Sequence, residues 1–410
     1  MIVTDEGVAC MDAVEPATPS GDELVDRARA LAPLLYEWSD ETERQRCVSP
    51  EAIEAMRERK FFRVLLPNRF GGLEHDLNTL VRIVCELSTA CGSTGWVGGL
   101  MMIHQWLCAQ FPIEVQEELW GDDPDAIIAG SYATSAIAEP ELGGYRISGK
   151  WPFASGCDHA SWALLGVTFP PDDADGQSQA GFLLAKNSEF AIEDDWFVVG
   201  LAGTGSKSVI CNDQFIPERR RVTLAELNTG LTPGARALGG PLYRIPLLAA
   251  LPAAIVSPAL GILEGAIRDF IASSGARKTR GAVVAGGARM AEFATVQTRL
   301  GEAAASLAAG KALIHGDLHE TQRLSRAGEA ITVDYRIQVR LSQAFAVRLA
   351  VQGIEALYGA TGGAGLYLGH RVQRAWRDIH AVSHHVSLNW DAVSTMYGQN
   401  SLGLEPKGQY

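Results

Sequence analysis

Apolar residues recur at helical spacing through the first hundred residues. In Leu77–Ala90 the side chains of Leu80, Ile83, Val84 and Leu87 share one face, and comparable patterns predict helices over Asp22–Trp38 and Pro50–Lys60. Leu66-Pro-Asn-Arg-Phe-Gly-Gly72 interrupts them with a turn, and a further helical region carries Trp96, His104 and Trp106. From Ile127 the period changes. Short alternating or β-branched runs (Ile127–Tyr132, Tyr145–Ser148, Trp162–Phe169, Gly181–Leu184, and Ser208–Cys211 leading to Pro217) are separated by Gly and Pro clusters, which predicts a small β-sandwich or barrel. After Arg219 longer helical stripes return, over Ala259–Phe270, Phe293–Leu307, Ile337–Tyr358 and Val372–Tyr397. Four such stripes with short links predict an antiparallel four-helix bundle. The expected organisation is α+β: a loose tail (1–20), an N-terminal α-helical domain (21–125), a middle β domain (126–222) and a C-terminal helical bundle (223–410).

Charge and composition narrow the function classes. A chain of 410 residues with net charge -13 is a poor match to nucleic acid or an anionic membrane, which call for clustered Lys and Arg. Seven scattered cysteines, with no Cys-x-x-Cys pair, form neither a disulfide framework nor a zinc site and fit a reducing compartment. The first 21 residues show no secretion signal, so the expected location is cytoplasmic. Ile245–Leu263 is uncharged and near spanning length, but Pro246, Pro252 and Pro258 interrupt it, and a buried helix is the better reading.

The richest chemistry lies in Gly149-Lys-Trp-Pro-Phe-Ala-Ser-Gly156, which reads as a turn between two strands. Its aromatics, proline and hydroxyl would make a flat apolar wall with one hydrogen-bonding group, suited to a flat heterocycle; an ordinary hairpin corner is the alternative. No Gly-x-Gly-x-x-Gly follows a strand and no phosphate-cradling loop occurs, so NAD(P)H and ATP sites of the usual kinds are not expected. No histidine has an acid three residues before it, which removes the di-iron bundle reading. His315/His319 and His380/His384 have the spacing of paired metal ligands but no evident third ligand, and no metal is expected. Arg374–Trp390 reads as part of one long helix, with Asp378 and His385 two turns apart on one face. His385 there is either a half-buried core residue or an acid/base group titrating near neutrality. Trp96 and His104 either line a pocket or are a core tryptophan and an unrelated histidine.

These residues carry a resemblance that covers nearly the whole chain. The domain order, Leu66–Gly72, Ala138-Glu-Pro-Glu-Leu-Gly-Gly-Tyr145, the Trp-Pro-Phe-Ala-Ser run and Tyr358-Gly-Ala-Thr-Gly-Gly363 with Arg377-Asp378 resemble the acyl-CoA dehydrogenase fold. Gly149–Trp162 and Trp376–Val386 are more closely similar to the oxygenase components of two-component flavin monooxygenases built on that fold. The dehydrogenases need a carboxylate base, yet residues 241–263 contain no Asp or Glu, and Ser383-His-His-Val386 follows the Arg-Asp pair. Their Gly-Ser-Asp is Gly143-Gly144-Tyr145 here.

The resemblance implies reduced FMN or FAD from a separate NAD(P)H:flavin reductase. It also implies O2 as co-substrate, a C4a-hydroperoxide, a small phenolic or indole-like aromatic substrate, and a homotetramer. It places Ser155 at flavin N5, Phe153 on the isoalloxazine ring and His385 near C4a. Trp96 and His104 fall on the substrate side, with Trp96 also at the flavin; Ser131, Thr204 and Ser206 are flavin contacts, and Arg280 reaches a flavin phosphate. His385, Ser155 and His104 are the expected catalytic residues. The alternatives are an acyl-CoA dehydrogenase-type oxidoreductase, an N- or S-oxygenating relative, and a helical scaffold without cofactor.

Overall fold

The computed structural model describes residues 18–171, 176–278 and 289–410. Among the described residues five helices come first: α1 (Gly21–Gln45), α2 (Pro50–Glu58), α3 (Leu77–Ala90), α4 (Gly92–Cys108) and α5 (Ile113–Trp120). Their starts follow local chemistry. Ser20 and Glu23 form a reciprocal capping box on α1, Ser49 with Pro50 opens α2, and the Asp76 carboxylate accepts the Thr79 N–H to start α3.

Eight strands follow among the described residues: β1 (Ile128–Ile137), β2 (Glu139–Glu141), β3 (Gly144–Ala154), β4 (Trp162–Phe169), β5 (Gln179–Lys186), β6 (Ala191–Glu193), β7 (Lys207–Pro217) and β8 (Arg221–Thr223). They form two four-stranded sheets, ordered β1-β4-β5-β8 and β2-β3-β7-β6. The β1–β4 pair is parallel, with Ile128 opposite Trp162; the other pairs are antiparallel. Ala129, Leu165, Leu183, Trp151 and Val209, drawn from both sheets, pack between them, as in a sandwich.

The remaining helices are α6 (Leu224–Thr229), α7 (Pro233–Leu238), α8 (Leu247–Ala250), α9 (Pro252–Ala276), α10 (Ala294–Ala327), α11 (Val333–Tyr358), α12 (Arg371–Ser383) and α13 (Trp390–Ser401). The helices before and after the sheets share one core, with Leu80, Ile83 and Val84 of α3 in the same cluster as Ala259, Leu260 and Leu263 of α9. The apolar stretch Leu247–Gly275 is long and apolar enough to cross a membrane by composition, but 94% of its most apolar window is buried in this core.

Two sequence expectations are corrected. Gly149–Ala154 is not a turn but the second half of β3, because Trp151 is fully buried opposite Val209 and Gly149 pairs with Cys211; the chain turns only after Ala154. The last long helix is broken. Ser383 Oγ and His384 Nδ1 both donate back to the His380 carbonyl (2.8 and 2.7 Å) and end α12, and His385 Nδ1 then accepts the Ser387 N–H (3.2 Å) to open a 3-10 turn. His385 therefore sits in the corner between α12 and α13, not on a helical face shared with Asp378.

Candidate active site

The wall begins with α4, every residue of which is buried. From it Trp96 Nε1–H donates to Ser155 Oγ, at the end of β3, over 3.0 Å. Ser155 Oγ lies 2.7 Å from Ser206 Oγ, Ser206 Oγ lies 2.6 Å from Thr204 Oγ1, and Thr204 Oγ1–H donates to the Leu201 carbonyl over 2.9 Å. Three hydroxyls thus form a continuous row under the wall.

The turn that carries this row is fixed from behind by α12. Arg377 Nη1–H donates to the Val199 carbonyl (2.7 Å), and the Leu201 N–H donates to Asp378 Oδ1 (2.6 Å). Gly200 permits this approach, since a Cβ there would stand 2.2 Å from the Arg377 carbonyl oxygen. Burial pushes the Asp378 carboxyl up to about 6, against the opposing pull of the Leu201 N–H. Asp378 thus spends one carboxylate oxygen on the backbone of this turn. Glu264, on α9, pairs with Arg268 and Lys311 at 2.6 and 2.5 Å.

The face of the wall is apolar. Phe153 holds φ +66°, a left-handed conformation unusual for a bulky residue, and its ring is 66% exposed, edge-on to Trp196 with centroids 6.1 Å apart. Ser131, behind β3, donates to the Pro152 carbonyl (2.6 Å) and steadies the kink before Phe153. Phe197 and Val199, in the loop after Trp196, are each 72% exposed. Two clefts of about 260 and 420 Å³ open elsewhere, around Tyr145 with Arg221 and around Glu74 with Tyr243, and touch none of these residues.

Two histidines flank the wall in different ways. His385 is half-buried, its ring 5.8 Å from Trp96 between centroids. Its Nδ1 accepts a backbone N–H, so its single proton sits on Nε2. Burial, with the Arg340 guanidinium in support, pushes its pKa down to about 4. His104 is fully buried on α4. Its Nδ1–H donates to the Ile128 carbonyl (2.6 Å), leaving Nε2 to accept the Tyr132 hydroxyl (2.6 Å), and burial again lowers its pKa to about 4. Gly130 makes room, since a Cβ there would lie 2.9 Å from the imidazole.

The structure therefore brings Trp96, Ser155, Ser206 and Thr204 into one hydrogen-bonded row, sets Phe153 and His385 beside it, and keeps Ser131 behind it. His104 stands back behind Tyr132, a residue that the sequence reading passed over although it ends the Ile127–Tyr132 run. Asp378, expected on one helical face with His385 and as part of the Arg377-Asp378 pair, instead anchors the turn at Leu201. Arg280 lies outside the described residues.

Comparison with known proteins follows this geometry. Residues 19–120 match the model for the acyl-CoA dehydrogenase N-terminal domain, and residues 253–390 match a model described as acyl-CoA dehydrogenase, C-terminal domain. An FADH(2)-dependent resorcinol hydroxylase, oxygenase component, from Rhizobium sp. (strain MTP-10005) is 46% identical over 94% of this chain and 96% of its own. The flavin-dependent monooxygenase oxygenase subunit HsaA of Rhodococcus jostii is 34% identical over 93% of this chain and 98% of its own. Among solved structures, 3-HSA hydroxylase from Rhodococcus sp. RHA1 superposes with TM-score 0.87 at 32% identity, covering 94% of this chain and 98% of its own. XiaF from Streptomyces sp., in complex with FADH2 and glycerol, superposes with TM-score 0.86 at 28% identity, covering 95% of this chain and 97% of its own. The chain belongs to the flavin-dependent monooxygenases of the acyl-CoA dehydrogenase fold, as an oxygenase component of that group.

Proposed function

We propose that this chain hydroxylates an electron-rich phenol of the resorcinol type, using O2 and reduced FMN or FAD delivered by a separate NAD(P)H:flavin reductase. The observation that carries the reading is the exposed aromatic face of Phe153 beside a buried hydroxyl row that ends at Ser155, with the neutral ring of His385 next to Trp96. A flat ring with a polar edge fits this wall: it would cover Phe153 and meet the unused lone pair of Ser155. Bound reduced flavin supplies two electrons and the position at which dioxygen is activated. Ser155 orients the ring at N5, with Trp96 holding Ser155, and Phe153 covers the ring face. Thr204 and Ser206 back Ser155, Ser131 fixes the kink before Phe153, and Arg280 meets a phosphate.

His385 offers Nε2–H to a substrate oxygen. Burial keeps its ring neutral well below pH 6.5, so the ring brings no net charge to an apolar site. His104 acts through Tyr132, whose hydroxyl it fixes; that phenol is itself pushed above its ordinary value by burial and remains a proton donor. Neither of the acids nearest in sequence to the dehydrogenases' two base positions is free to abstract an α-proton, since Asp378 Oδ1 is held by the Leu201 N–H and Glu264 by two cations. We also propose assembly as a homotetramer, because Leu366, Tyr367 and Leu368 form a run three-quarters exposed on the bundle.

The test mixes the protein and chemically reduced FMN or FAD with oxygenated buffer containing resorcinol or a series of other phenols. The expected result is hydroxylated product with little hydrogen peroxide. Full conversion of the reducing equivalents to peroxide with every phenol overturns the reading.

A further inference from the structure

The hydroxyl row has two ends of fixed sense. At one end Trp96 Nε1–H, which can only donate, lies 3.0 Å from Ser155 Oγ. At the other the Leu201 carbonyl, which can only accept, lies 2.9 Å from Thr204 Oγ1. Each hydroxyl between them has a single proton. The proton of Thr204 goes to Leu201, so the 2.6 Å contact with Ser206 uses the proton of Ser206. The 2.7 Å contact between Ser206 and Ser155 then uses the proton of Ser155. Ser155 Oγ is left with one lone pair and no proton to offer.

Reversing the row would leave Thr204 Oγ1 facing a carbonyl oxygen at 2.9 Å with no hydrogen between them. That carbonyl cannot easily turn away. It also accepts from Thr204 N (3.1 Å) and Trp196 Nε1 (3.2 Å), and the amide N–H of the same residue is held by Asp378 at 2.6 Å.

We infer that this one-way row makes Ser155 a hydrogen-bond acceptor and thereby makes the site select reduced over oxidised flavin. The inference rests on the proposal that Ser155 meets flavin N5. The reduced ring carries an N–H there, whereas the oxidised ring presents a bare acceptor nitrogen. An acceptor met by an acceptor leaves both unpaired in a buried place, which is discrimination by mismatch as much as by attraction. Thr204 and Ser206 act through Ser155 and are positioning residues. The selection suits an enzyme whose flavin arrives reduced and has to leave once oxidised.

The test is an anaerobic titration of the full chain with oxidised and with dithionite-reduced FMN and FAD, read by equilibrium dialysis as the ratio of the two dissociation constants. Thr204→Val leaves Ser206 free to donate to Ser155, and Ser206→Ala removes the acceptor of Ser155; both release the Ser155 proton toward the ligand. Each should lower the preference for reduced flavin roughly tenfold, with the oxidised form bound more tightly than by the unaltered protein. Thr204→Ser retains the hydroxyl and should retain the unaltered ratio, which separates proton direction from simple damage to the turn. If Thr204→Val does not fold, Ser206→Ala decides alone. Retained flavin binding with an unchanged ratio overturns this inference and leaves the proposed function standing. Failure of both redox forms to bind the unaltered protein overturns the two together.

Discussion

His104, at the seam between α4 and β1, and His385, at the corner between α12 and α13, are both held neutral by burial, with pKa values near 4, yet they present opposite faces. At His104 a carbonyl takes the Nδ1 proton and leaves an acceptor, already filled by Tyr132. At His385 a backbone N–H occupies Nδ1 and leaves a donor at Nε2. One backbone group, C=O in one case and N–H in the other, decides which nitrogen is available and for what. The seam is closed, with every polar atom of the imidazole satisfied inside the protein. The corner is half open, beside Val386 and the exposed aromatic wall. A buried histidine therefore does not announce its role by its pKa; its second nitrogen does.

The comparison breaks first at His385. His385→Ala should lower coupled hydroxylation roughly 100-fold, as expected for loss of a placed proton donor, while flavin affinity changes little. Product and peroxide yields, measured beside a flavin titration, check this, and an equal loss of flavin binding would make His385 a cofactor residue instead.

The next effect belongs to the closed seam and appears in stability. Its folded pKa lies below the ordinary 6.5, so the unfolded chain takes up the proton first, and stability is complete above pH 6.5 and lost as pH falls toward 4. His104→Gln should remove on the order of 2 kcal/mol of this acid sensitivity. Urea unfolding of variant and unaltered protein at pH 6.5 and 4.5 measures it. Tyr132→Phe should cost about 1–2 kcal/mol at neutral pH by leaving His104 Nε2 buried without a donor, seen as a lower thermal midpoint.

The smallest effect sharpens the open corner. Arg340 is a buried guanidinium whose charge helps to depress His385. Arg340→Met should move the acid limb of the product-against-pH profile to higher pH, since one of the two causes of the depression is gone. A limb that stays in place would mean that desolvation alone holds the imidazole neutral.

Much of the scaffold was legible because it rests on local rules. The stripe of Leu80, Ile83, Val84 and Leu87 marks α3 over the same residues in sequence and structure, and the alternating runs locate β1, β4, β5 and β7. The break after Ser383 was not legible, because apolar periodicity continues through Val386, Trp390 and Val393; side-chain bonds back to the His380 carbonyl, with the backbone N–H groups of His384 and His385 turning to Ala381 and Val382, end the helix. Trp151 misled in the other direction: Pro152 and the flanking glycines suggest a turn, whereas pairing with a strand distant in sequence decides for β3.

For the site, the chain by itself determined which chemical groups are available: hydroxyls at Ser155, Thr204 and Ser206, an indole at Trp96, imidazoles at His104 and His385, and no acid in residues 241–263. Only the tertiary structure decided how they are connected. Ser155 and Ser206 stand 51 residues apart, and the sense of the bond between them depends on a carbonyl held in place by an aspartate 177 residues beyond the amide it binds. Hydrogen-bond direction depends on what lies at both ends of a row, and sequence spacing carries no record of ends that meet only when the chain has folded.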